Sequence, residues 1–356
     1  MKAKFSHVRI AGVLGVVPGK VSYFDDELSN YSHAPANSLK LKAAMGYDQH
    51  RVADIGTTTS DLACFGLQRL FSEHGVDPET IDAIFFVSQT PDYLLPATSA
   101  YIHGQFAFSK ETYCIDINDG CCGYIKALYE GSAFLSVTTA RRVLIIAGDV
   151  LSAKVSRHDR NSFPLIGDAA TITLLEKTVE ASPLEVEIFY DGTGYDKLQI
   201  PAGGARMACN PASGELHMDE DGNQRSAEHL IMQGRDVFAF TQTVVPEFMA
   251  TFLSSRGLTP EEIDVFLLHQ ANAFILDRLR LKLGVEKVKV PDFVIRKYGN
   301  SSSGTIPMGI ASSLPDTPTT KVMACGFGVG LSWGAALFEL NGLNFCSVVD
   351  YFGEEK

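Results

Sequence analysis

The chain has 356 residues, of which 46% are hydrophobic and 20% are charged, so it can bury a large core and is neither disordered nor fibrous. This length predicts two domains or one large double-layered unit. The formal net charge of −12 argues against a protein that binds duplex nucleic acid or clamps a membrane surface through basic residues.

The apolar N-terminal run from Val8 to Val17 is predicted to be an opening β-strand. Gly12 and Gly15 interrupt it, Pro18 ends it, and no small-residue cleavage site follows, unlike in a signal peptide. No other stretch approaches the ~20 apolar residues of a membrane span. We therefore expect a soluble, cytoplasmic protein with no membrane partner.

The cysteine pattern supports the same compartment. Seven cysteines are spread thinly, with no CxxC pair and no Cys/His ligand spacing. A disulfide framework and a zinc site are both disfavoured, and we expect no bound metal.

An internal repeat is the most informative feature of the organisation. The segment that begins at Gly75 recurs from Gly257, 182 residues later, and each copy is predicted to be a helix end, a Pro-Glu turn and an apolar strand. A second pair, residues 142–148 and 321–327, predicts two strands buried on both faces. The sequence thus indicates a duplicated α/β unit with mixed sheets, divided into residues 1–180 and 181–356. A polar, Gly-rich region, roughly Asp191 to Arg225, is interpreted as an ordered surface insertion.

Cys121 and Cys122 follow a predicted strand and open a predicted helix, at Asp116-Ile-Asn-Asp-Gly-Cys-Cys-Gly. The positive end of a helix favours a thiolate, and its free N–H groups can receive an oxyanion. This pattern predicts a nucleophilic cysteine, while the alternative is a pair of small buried side chains.

Two further polar residues are candidate catalytic residues because of their positions in the internal repeat. His269 ends the second repeat's strand, although a histidine there can also be a core residue held by one hydrogen bond. Asn300 lies in a polar turn before Gly304, and Gly304 follows Gly123 by 181 residues, close to the repeat offset. The turns of Cys121 and Asn300 therefore occupy corresponding places in the two halves and are expected to meet in one cleft.

These segments resemble a known family. Cys121-Cys-Gly-Tyr, His269-Gln-Ala-Asn and Tyr298-Gly-Asn are similar to the Cys-His-Asn triad segments of 3-oxoacyl-[acyl-carrier-protein] synthase III, a thiolase-fold condensing enzyme. Other matching pieces follow in order along nearly the whole chain, among them Gly148-Asp-Val-Leu, Gly167-Asp-Ala-Ala and the glycine-rich stretch Gly326 to Gly334. The resemblance implies a duplicated thiolase-like fold with five layers, α/β/α/β/α, and two mixed sheets. The first half would carry the cysteine and the second half the histidine and asparagine, usually in a homodimer.

The resemblance also implies the chemistry. Cys121 is acylated by a thioester donor, and His269 and Asn300 hydrogen-bond the carbonyl of a malonyl thioester and stabilise the enolate left by decarboxylation. The oxyanion hole consists of the backbone N–H groups of Cys121 and Val329. No cofactor is implied, since acyl-coenzyme A and malonyl-carrier thioesters are substrates.

Substrate contacts and partners are predicted with less support from the motifs. The predicted substrate-binding residues are Arg160, which matches a residue that assists coenzyme A binding, Leu95 in a pocket wall, and Gln270 and Asn272 beside the histidine. An acyl carrier protein is the expected partner. Two basic docking positions are changed to Ala239 and Phe274, so we expect Arg278, Arg280 and Lys282 to substitute for them.

Two other functions remain open from the sequence. A thiolase-fold acyltransferase would pass the acyl group from Cys121 to an amine or alcohol without condensation, and a non-enzymatic partner subunit would form no acyl-cysteine. Asp119, where the family generally has a small neutral residue, is expected to oppose thiolate formation unless it is paired or points away.

Overall fold

The computed structural model describes residues 1–314 and 319–353. The strands are β1 (Lys2–Phe5), β2 (Val8–Pro18), β3 (Val21–Tyr23), β4 (Gln49–Arg51), β5 (Ala83–Val87), β6 (Tyr113–Ile117), β7 (Arg142–Asp149), β8 (Ala169–Lys177), β9 (Leu184–Tyr190), β10 (Leu198–Gln199), β11 (His217–Met218), β12 (Gln224–Arg225), β13 (Ile231–Met232), β14 (Val265–Leu268), β15 (Thr319–Gly328), β16 (Ser332–Asn341) and β17 (Phe345–Tyr351). The helices are α1 (Pro35–Met45), α2 (Thr59–Glu73), α3 (Thr98–Gln105), α4 (Gly123–Val137), α5 (Gly234–Ser254), α6 (Ala273–Leu283), α7 (Phe293–Lys297) and α8 (Thr305–Ser313).

Two mixed sheets repeat one topology. The first has the strand order β17-β2-β8-β7-β5-β6 and the second β1-β9-β16-β15-β14. In each, two antiparallel pairings are followed by a parallel one: β2-β8-β7-β5 in the first sheet and β9-β16-β15-β14 in the second. The repeat read from Gly75 and Gly257 therefore corresponds to two equivalent strands, β5 and β14.

The layers are those of the predicted fold. Helices α4 and α8 lie between the sheets and contact strands of both, while α2 and α3 cover the first sheet and α5 contacts the second. Apolar side chains of α4, including Tyr124, Ile125 and Leu128, are completely buried in the core between the sheets. This arrangement confirms the five-layered α/β/α/β/α architecture, with α4, which follows Cys121, at its centre.

The ends of the chain cross between the two sheets. β1 pairs with β9 in the second sheet, and β17 pairs with β2 in the first. Each half of the chain thus supplies one terminal strand to the sheet of the other half. The boundary between the two halves at residue 180 stays a prediction.

The region between the halves is ordered on the surface, as the sequence predicted. It contains two small two-stranded sheets, β10-β13 and β11-β12. The Ser32 hydroxyl donates to the carbonyl of Gly222, and the Gln224 N–H donates to the carbonyl of His158. These contacts join the insertion to the segment before α1 and to the loop that carries Arg160.

One helix contradicts the expectation that no stretch after the N-terminal strand approaches the length of an apolar membrane span. Among the described residues, α5 is long and apolar enough to cross a membrane by length and composition. Its Phe248 and Phe252 side chains are buried in a core cluster with residues of α6, β15 and β16. This face of the helix therefore covers the second sheet, which gives its apolar residues a role in the core.

A buried ion pair fastens the segment Phe24–Asn30 to the body of the protein. The Nδ1 of His50 in β4 faces the carbonyl of Ile166, and its Nε2 lies 2.9 Å from a carboxylate oxygen of Glu27. A carbonyl and a carboxylate can only accept, so both ring nitrogens must carry a proton. Burial lowers the pKa of His50, but the hydrogen bond and the charge of Glu27 outweigh it and raise the pKa above 6.5.

We expect this pair to make stability depend on pH. Because the pKa of His50 is raised in the folded state, its contribution is fully present below about pH 6.5 and is lost as the pH rises through the folded-state pKa. His50→Gln should cost about 3–5 kcal/mol at low pH, the usual loss for one partner of a buried pair, and less at high pH. Urea unfolding across the pH range measures this difference, and exposed His7→Gln is the matched control. A His50→Gln penalty that stays constant across the range would contradict the assignment.

Candidate active site

Cys121 lies in the turn between β6 and α4, against the end of β15. Helix α4 begins at Gly123 with Cys122 as its N-cap, so Cys121 lies two residues before the helix rather than at its start, the position predicted from the sequence. A Cβ at Gly328 would lie 2.7 Å from the Cys121 sulfur. A side chain at position 328 cannot fit there without displacing the thiol, which explains a glycine beside the predicted nucleophile.

The resting state of Cys121 differs from the sequence expectation. Burial raises the pKa of the Cys121 thiol to about 12, opposed by the backbone N–H groups of Val329 and of Cys121 itself. The helix terminus therefore does not produce a thiolate at rest, because desolvation outweighs it. These two N–H groups are the donors that the sequence assigns to the oxyanion hole, and that role stays a prediction.

Asp119 is paired, and it still opposes formation of the Cys121 thiolate. Its carboxylate accepts a 2.9 Å hydrogen bond from the Tyr190 hydroxyl and lies 3.9 Å from the Lys126 ammonium. Burial raises the pKa of Asp119, and its charge adds to the elevation of the Cys121 pKa. The Tyr190 hydroxyl thus provides the hydrogen bond that this buried carboxylate needs.

Cys122 belongs to the core. Its side chain is completely buried, and a Cβ at Gly334 of β16 would lie 3.3 Å from its sulfur. The two neighbouring thiols therefore face different surroundings, Cys121 at the turn of Gly328 and Cys122 against the second sheet.

His269 follows the last residue of β14 and is buried and neutral. Its backbone N–H donates to the carbonyl of Cys325, and its ring meets Phe327 edge-on at 5.6 Å between centroids. Burial lowers the pKa of His269 to about 3. The Nδ1 atom lies 2.8 Å from the hydroxyl of Thr305, and within the described residues Nε2 has no hydrogen-bond partner.

Asn300 is held by its backbone and by one side-chain oxygen. Its backbone N–H donates to Leu165 O at 2.7 Å, and its carbonyl accepts from Gly167 at 3.2 Å. Its Oδ1 accepts the backbone N–H of Ser302 at 2.9 Å, and in the described part of the chain no acceptor faces Nδ2. The amide hydrogens of Asn300 are thus available to another molecule.

The three segments converge as the sequence predicted. A Cβ at Gly123, at the start of α4, would lie 3.4 Å from the Cβ of Ser303 in the turn after Asn300. A Cβ at Gly326 would lie 2.8 Å from the Cys121 carbonyl, one residue beyond the Cys325 carbonyl that binds His269. The turn at 301–304 and the end of β15 thereby bring the cysteine, histidine and asparagine segments to one place.

Two of the predicted substrate-binding residues have structural partners. The Gln270 amide nitrogen donates to the carbonyls of Leu268 and Pro291, and Asn272 caps α6 by accepting the N–H of Ile275 at 2.8 Å. Both side chains are nearly inaccessible to solvent. These contacts brace the loop after His269, and a substrate contact by either residue stays a prediction.

The other two predicted substrate-binding residues differ in exposure: Leu95 is exposed, and the Nε atom of Arg160 is buried. Leu95 is 83% exposed in the single chain, and its place in a pocket wall stays a prediction. The Arg160 N–H donates to Asn223 in the insertion, and its side-chain Nε is buried without an acceptor among the described residues. A guanidinium with an unused buried donor can accommodate an anionic group.

One buried carboxylate in the site was not recognised from the sequence. Asp149 ends β7, and its Oδ1 accepts hydrogen bonds from Ser88, Thr90 and the backbone of Gln89 at 2.7–3.0 Å. Burial raises its pKa to about 6, and its charge adds to the elevation of the Cys121 pKa. Only the motif Gly148-Asp marked it in the sequence. In residues 1–314 and 319–353, no group of three or more His, Cys, Asp or Glu side chains could hold a metal ion.

Comparison with known proteins decides the family. Residues 115–192 match the 3-oxoacyl-[acyl-carrier-protein (ACP)] synthase III family, and residues 253–340 match its C-terminal family. A β-ketoacyl-[acyl-carrier-protein] synthase III from Rhodopirellula baltica is 32% identical over 346 residues, covering 93% of this chain and 98% of the relative. The chain belongs to the 3-oxoacyl-[acyl-carrier-protein] synthase III family.

Solved structures agree across the whole length of this synthase III family member. A 3-oxoacyl-(acyl-carrier protein) synthase from Burkholderia xenovorans has 33% identity and a TM-score of 0.90, with 99% of each chain covered. Among sequence relatives, a β-ketoacyl-[acyl-carrier-protein] synthase III from Clostridium perfringens is 31% identical over 298 residues, covering 82% of this chain and 88% of the relative. The two matched families leave residues 193–252 between them, which include most of the surface insertion.

Proposed function

We propose that this synthase III family member catalyses a decarboxylative Claisen condensation. An acyl group is transferred from a thioester to Cys121, and a malonyl thioester then loses carbon dioxide and attacks the acyl-cysteine to give a 3-oxoacyl thioester. The observation that carries this proposal is a pair of side-chain nitrogens beside the cysteine turn, Nε2 of His269 and Nδ2 of Asn300. Neither has a hydrogen-bond partner among the described residues.

The first half-reaction uses the thiol and the two backbone donors. As the Cys121 sulfur attacks the acyl carbonyl, its proton leaves and the departing thiol of the donor gains one, so the exchange is balanced. The N–H groups of Cys121 and Val329 stabilise the tetrahedral oxyanion. Because burial raises the pKa of the resting thiol, removal of its proton is part of the acyl transfer.

The second half-reaction uses the side-chain donors. The bond between the malonyl C2 and its carboxylate breaks, its electron pair moves toward the thioester carbonyl, and carbon dioxide leaves. Hydrogen bonds from His269 and Asn300 stabilise the resulting enolate, so no base is needed. The enolate C2 then attacks the acyl carbon, the bond from that carbon to the Cys121 sulfur breaks, and the departing thiolate takes a proton from solvent.

Release of carbon dioxide separates this function from the acyltransferase alternative. Malonyl thioester should be decarboxylated by the acylated enzyme and give a 3-oxoacyl thioester, measured as labelled carbon dioxide and by product mass. An enzyme that acylates Cys121 but releases no carbon dioxide, and acylates an amine or alcohol, would establish the acyltransferase. Absence of any acyl-cysteine would indicate a partner subunit.

The donor is proposed to be an acyl-coenzyme A and no cofactor is required by the chemistry. The buried, unaccepted Nε of Arg160 supports a contact with an anionic part of that donor. The free thiols of Cys209 and Cys346, both exposed, support a reducing, cytoplasmic location.

The acceptor is proposed to be carried by an acyl carrier protein that docks on α6. Arg278 is exposed, and its guanidinium lies 5.1 Å from the ring centroid of Phe274. Arg280 is paired with Asp277 at 2.8 Å, and the Lys282 ammonium donates to the carbonyl of Gln242. Arg278 is therefore the cation of this helix with the most freedom to meet an acidic partner.

We expect Arg278→Glu combined with Arg280→Glu to raise the KM for a carrier-bound malonyl acceptor several-fold at low salt. A local basic patch offsets the repulsion between an acidic carrier and a protein of net charge −12. The effect should shrink at high salt, since charges separated by more than about 8–10 Å are screened near physiological ionic strength. Steady-state kinetics with carrier-bound and coenzyme A-bound malonyl groups measure it.

The control has the same change of charge elsewhere. Arg69→Glu combined with Arg141→Glu lies outside α6 and should leave the KM for the carrier-bound acceptor unchanged. A double variant of α6 that handles this acceptor like the parent at low salt would exclude the patch as the docking site.

The synthase is proposed to be a homodimer. Tyr93, Leu94 and Leu95 form an exposed apolar triplet, and β6 lies at the edge of the first sheet with a partner strand on one side. A second copy would cover both features, and Leu95 would then contact an acyl group only across that interface. Light scattering should give twice the chain mass, and Leu94→Glu with Leu95→Glu should lower it. A monomeric parent at micromolar concentration would contradict the dimer.

A further inference from the structure

The hydroxyl of Thr305 lies where three polar groups of the site meet. Thr305 begins α8 and is buried, and its Oγ1 lies 2.8 Å from Nδ1 of His269, 3.0 Å from the carbonyl of Ser302 and 3.3 Å from the backbone nitrogen of Gln270. A hydroxyl has one proton and two lone pairs. The Gln270 N–H takes one lone pair, so the remaining lone pair and the proton serve the histidine and the carbonyl.

This leaves two arrangements for a histidine that holds one ring proton. If the hydroxyl proton points to the Ser302 carbonyl, Nδ1 carries the ring proton and Nε2 is a bare lone pair. If the hydroxyl proton points to Nδ1, Nε2 carries the ring proton and can donate. The two arrangements present opposite hydrogen-bonding character to the cleft.

The surrounding contacts favour the second arrangement. The Ser302 carbonyl already accepts the backbone N–H of Thr305, so it does not depend on the hydroxyl. Nδ1 of His269 has no other donor among the described residues. We propose that Thr305 is a positioning residue that donates its hydroxyl proton to Nδ1 of His269 and thereby holds the tautomer whose Nε2–H faces the substrate.

The neighbouring asparagine is oriented by the same turn. Ser302 has a left-handed backbone, with φ of 56°, an uncommon conformation for a residue with a side chain. In this conformation its N–H donates to Oδ1 of Asn300, which leaves the Nδ2 hydrogens free. One turn thus fixes the amide of Asn300 through Ser302 and the ring of His269 through Thr305, so both present a donor.

The inference rests on the proposed decarboxylation, in which both groups must donate. Negative charge develops on the thioester oxygen as the carboxylate leaves, and no proton is transferred in that step. An Nε2–H stabilises this charge, whereas an Nε2 lone pair repels it. The first half-reaction relies on the backbone donors of Cys121 and Val329, so it does not require this tautomer.

Thr305→Val removes the hydroxyl and keeps the shape of the side chain. Without that donor, no group holds Nδ1 as an acceptor, so the Nδ1–H form should become populated. We expect the rate of carbon dioxide release to fall about 10²-fold, the usual loss for one oxyanion donor. Acylation of Cys121 by acyl-coenzyme A, followed by intact mass, should stay within about threefold, and Thr305→Ser should restore decarboxylation.

Nitrogen-15 spectra of histidine-labelled protein report the tautomer without reference to activity. The signals of His269 are assigned by their loss in His269→Ala. The parent and Thr305→Ser should show a protonated Nε2 and an unprotonated Nδ1, and Thr305→Val should show a gain of protonated Nδ1.

Several results would overturn the proposal. The first is a parent protein with Nδ1 protonated, a result that does not depend on the folding of any variant. The second is a Thr305→Val protein that decarboxylates like the parent. The third is a Thr305→Val protein that loses decarboxylation while its tautomer is unchanged. A parent with the Nε2–H tautomer that releases no carbon dioxide would instead refute the proposed function and leave the role of Thr305 toward the ring intact.

Discussion

Cys121→Ser should abolish formation of the acyl-enzyme, and Cys122→Ser should leave it intact. The Cys121 sulfur lies against Gly328, in the turn that carries Val329, whereas Cys122 packs against Gly334 in the core. A serine hydroxyl in the same buried place is a far weaker nucleophile than a thiol, so no acyl mass should accumulate. Intact-protein mass spectrometry after incubation with short acyl-coenzyme A donors measures the result.

The control variant must be folded for this comparison to count. Cys122→Ser buries a hydroxyl and should lower thermal stability, so its melting temperature is measured beside its acylation. If Cys121→Ser still gained the acyl mass, or if only a folded Cys122→Ser lost it, Cys122 would be the nucleophile instead of Cys121.

A panel of donors in the same measurement also addresses acyl chain length. Pocket depth depends on side-chain packing around the cysteine and on Leu95, which is exposed in the single chain. The rate of acylation as a function of chain length therefore reports the pocket that forms in the assembled enzyme.

The duplication could be predicted from the sequence because it rests on local patterns. The turn and strand after Gly75 and after Gly257 recur with the same residue types, and the structure has them as β5 and β14 in equivalent sheets. The exchange of β1 and β17 between the sheets could not be predicted, since strand pairing at that separation leaves no periodic mark in either strand.

The catalytic segments could likewise be predicted from the sequence, but the pKa shifts of their side chains could not. The position of Cys121 near a helix start predicts a lowered pKa, but burial raises it. Burial is a property of the whole fold, set here by β15, which contacts the cysteine from about 200 residues further along the chain.

Residues that act through another residue are the hardest to find from sequence. Thr305 stands 36 positions from His269 and resembles an ordinary helix-opening threonine. Its contact with the ring exists only because α8 and the end of β14 pack together in the central layer.

His269→Ala and Asn300→Ala should each permit acylation of Cys121 and lower the rate of malonyl decarboxylation by about 10²–10³-fold, the range for loss of one oxyanion donor. Each side chain presents a nitrogen without an acceptor in the described residues, and these are the two side-chain donors proposed for the enolate oxygen. Because burial lowers the pKa of His269 to about 3, the ring is neutral from about pH 5 to 9. The parent decarboxylation rate should therefore show no step from histidine titration in that range. Stopped-flow measurement of carbon dioxide release from preacylated enzyme tests both statements. Parent-like decarboxylation in either variant would refute condensation through this pair of donors and make the acyltransferase the leading function.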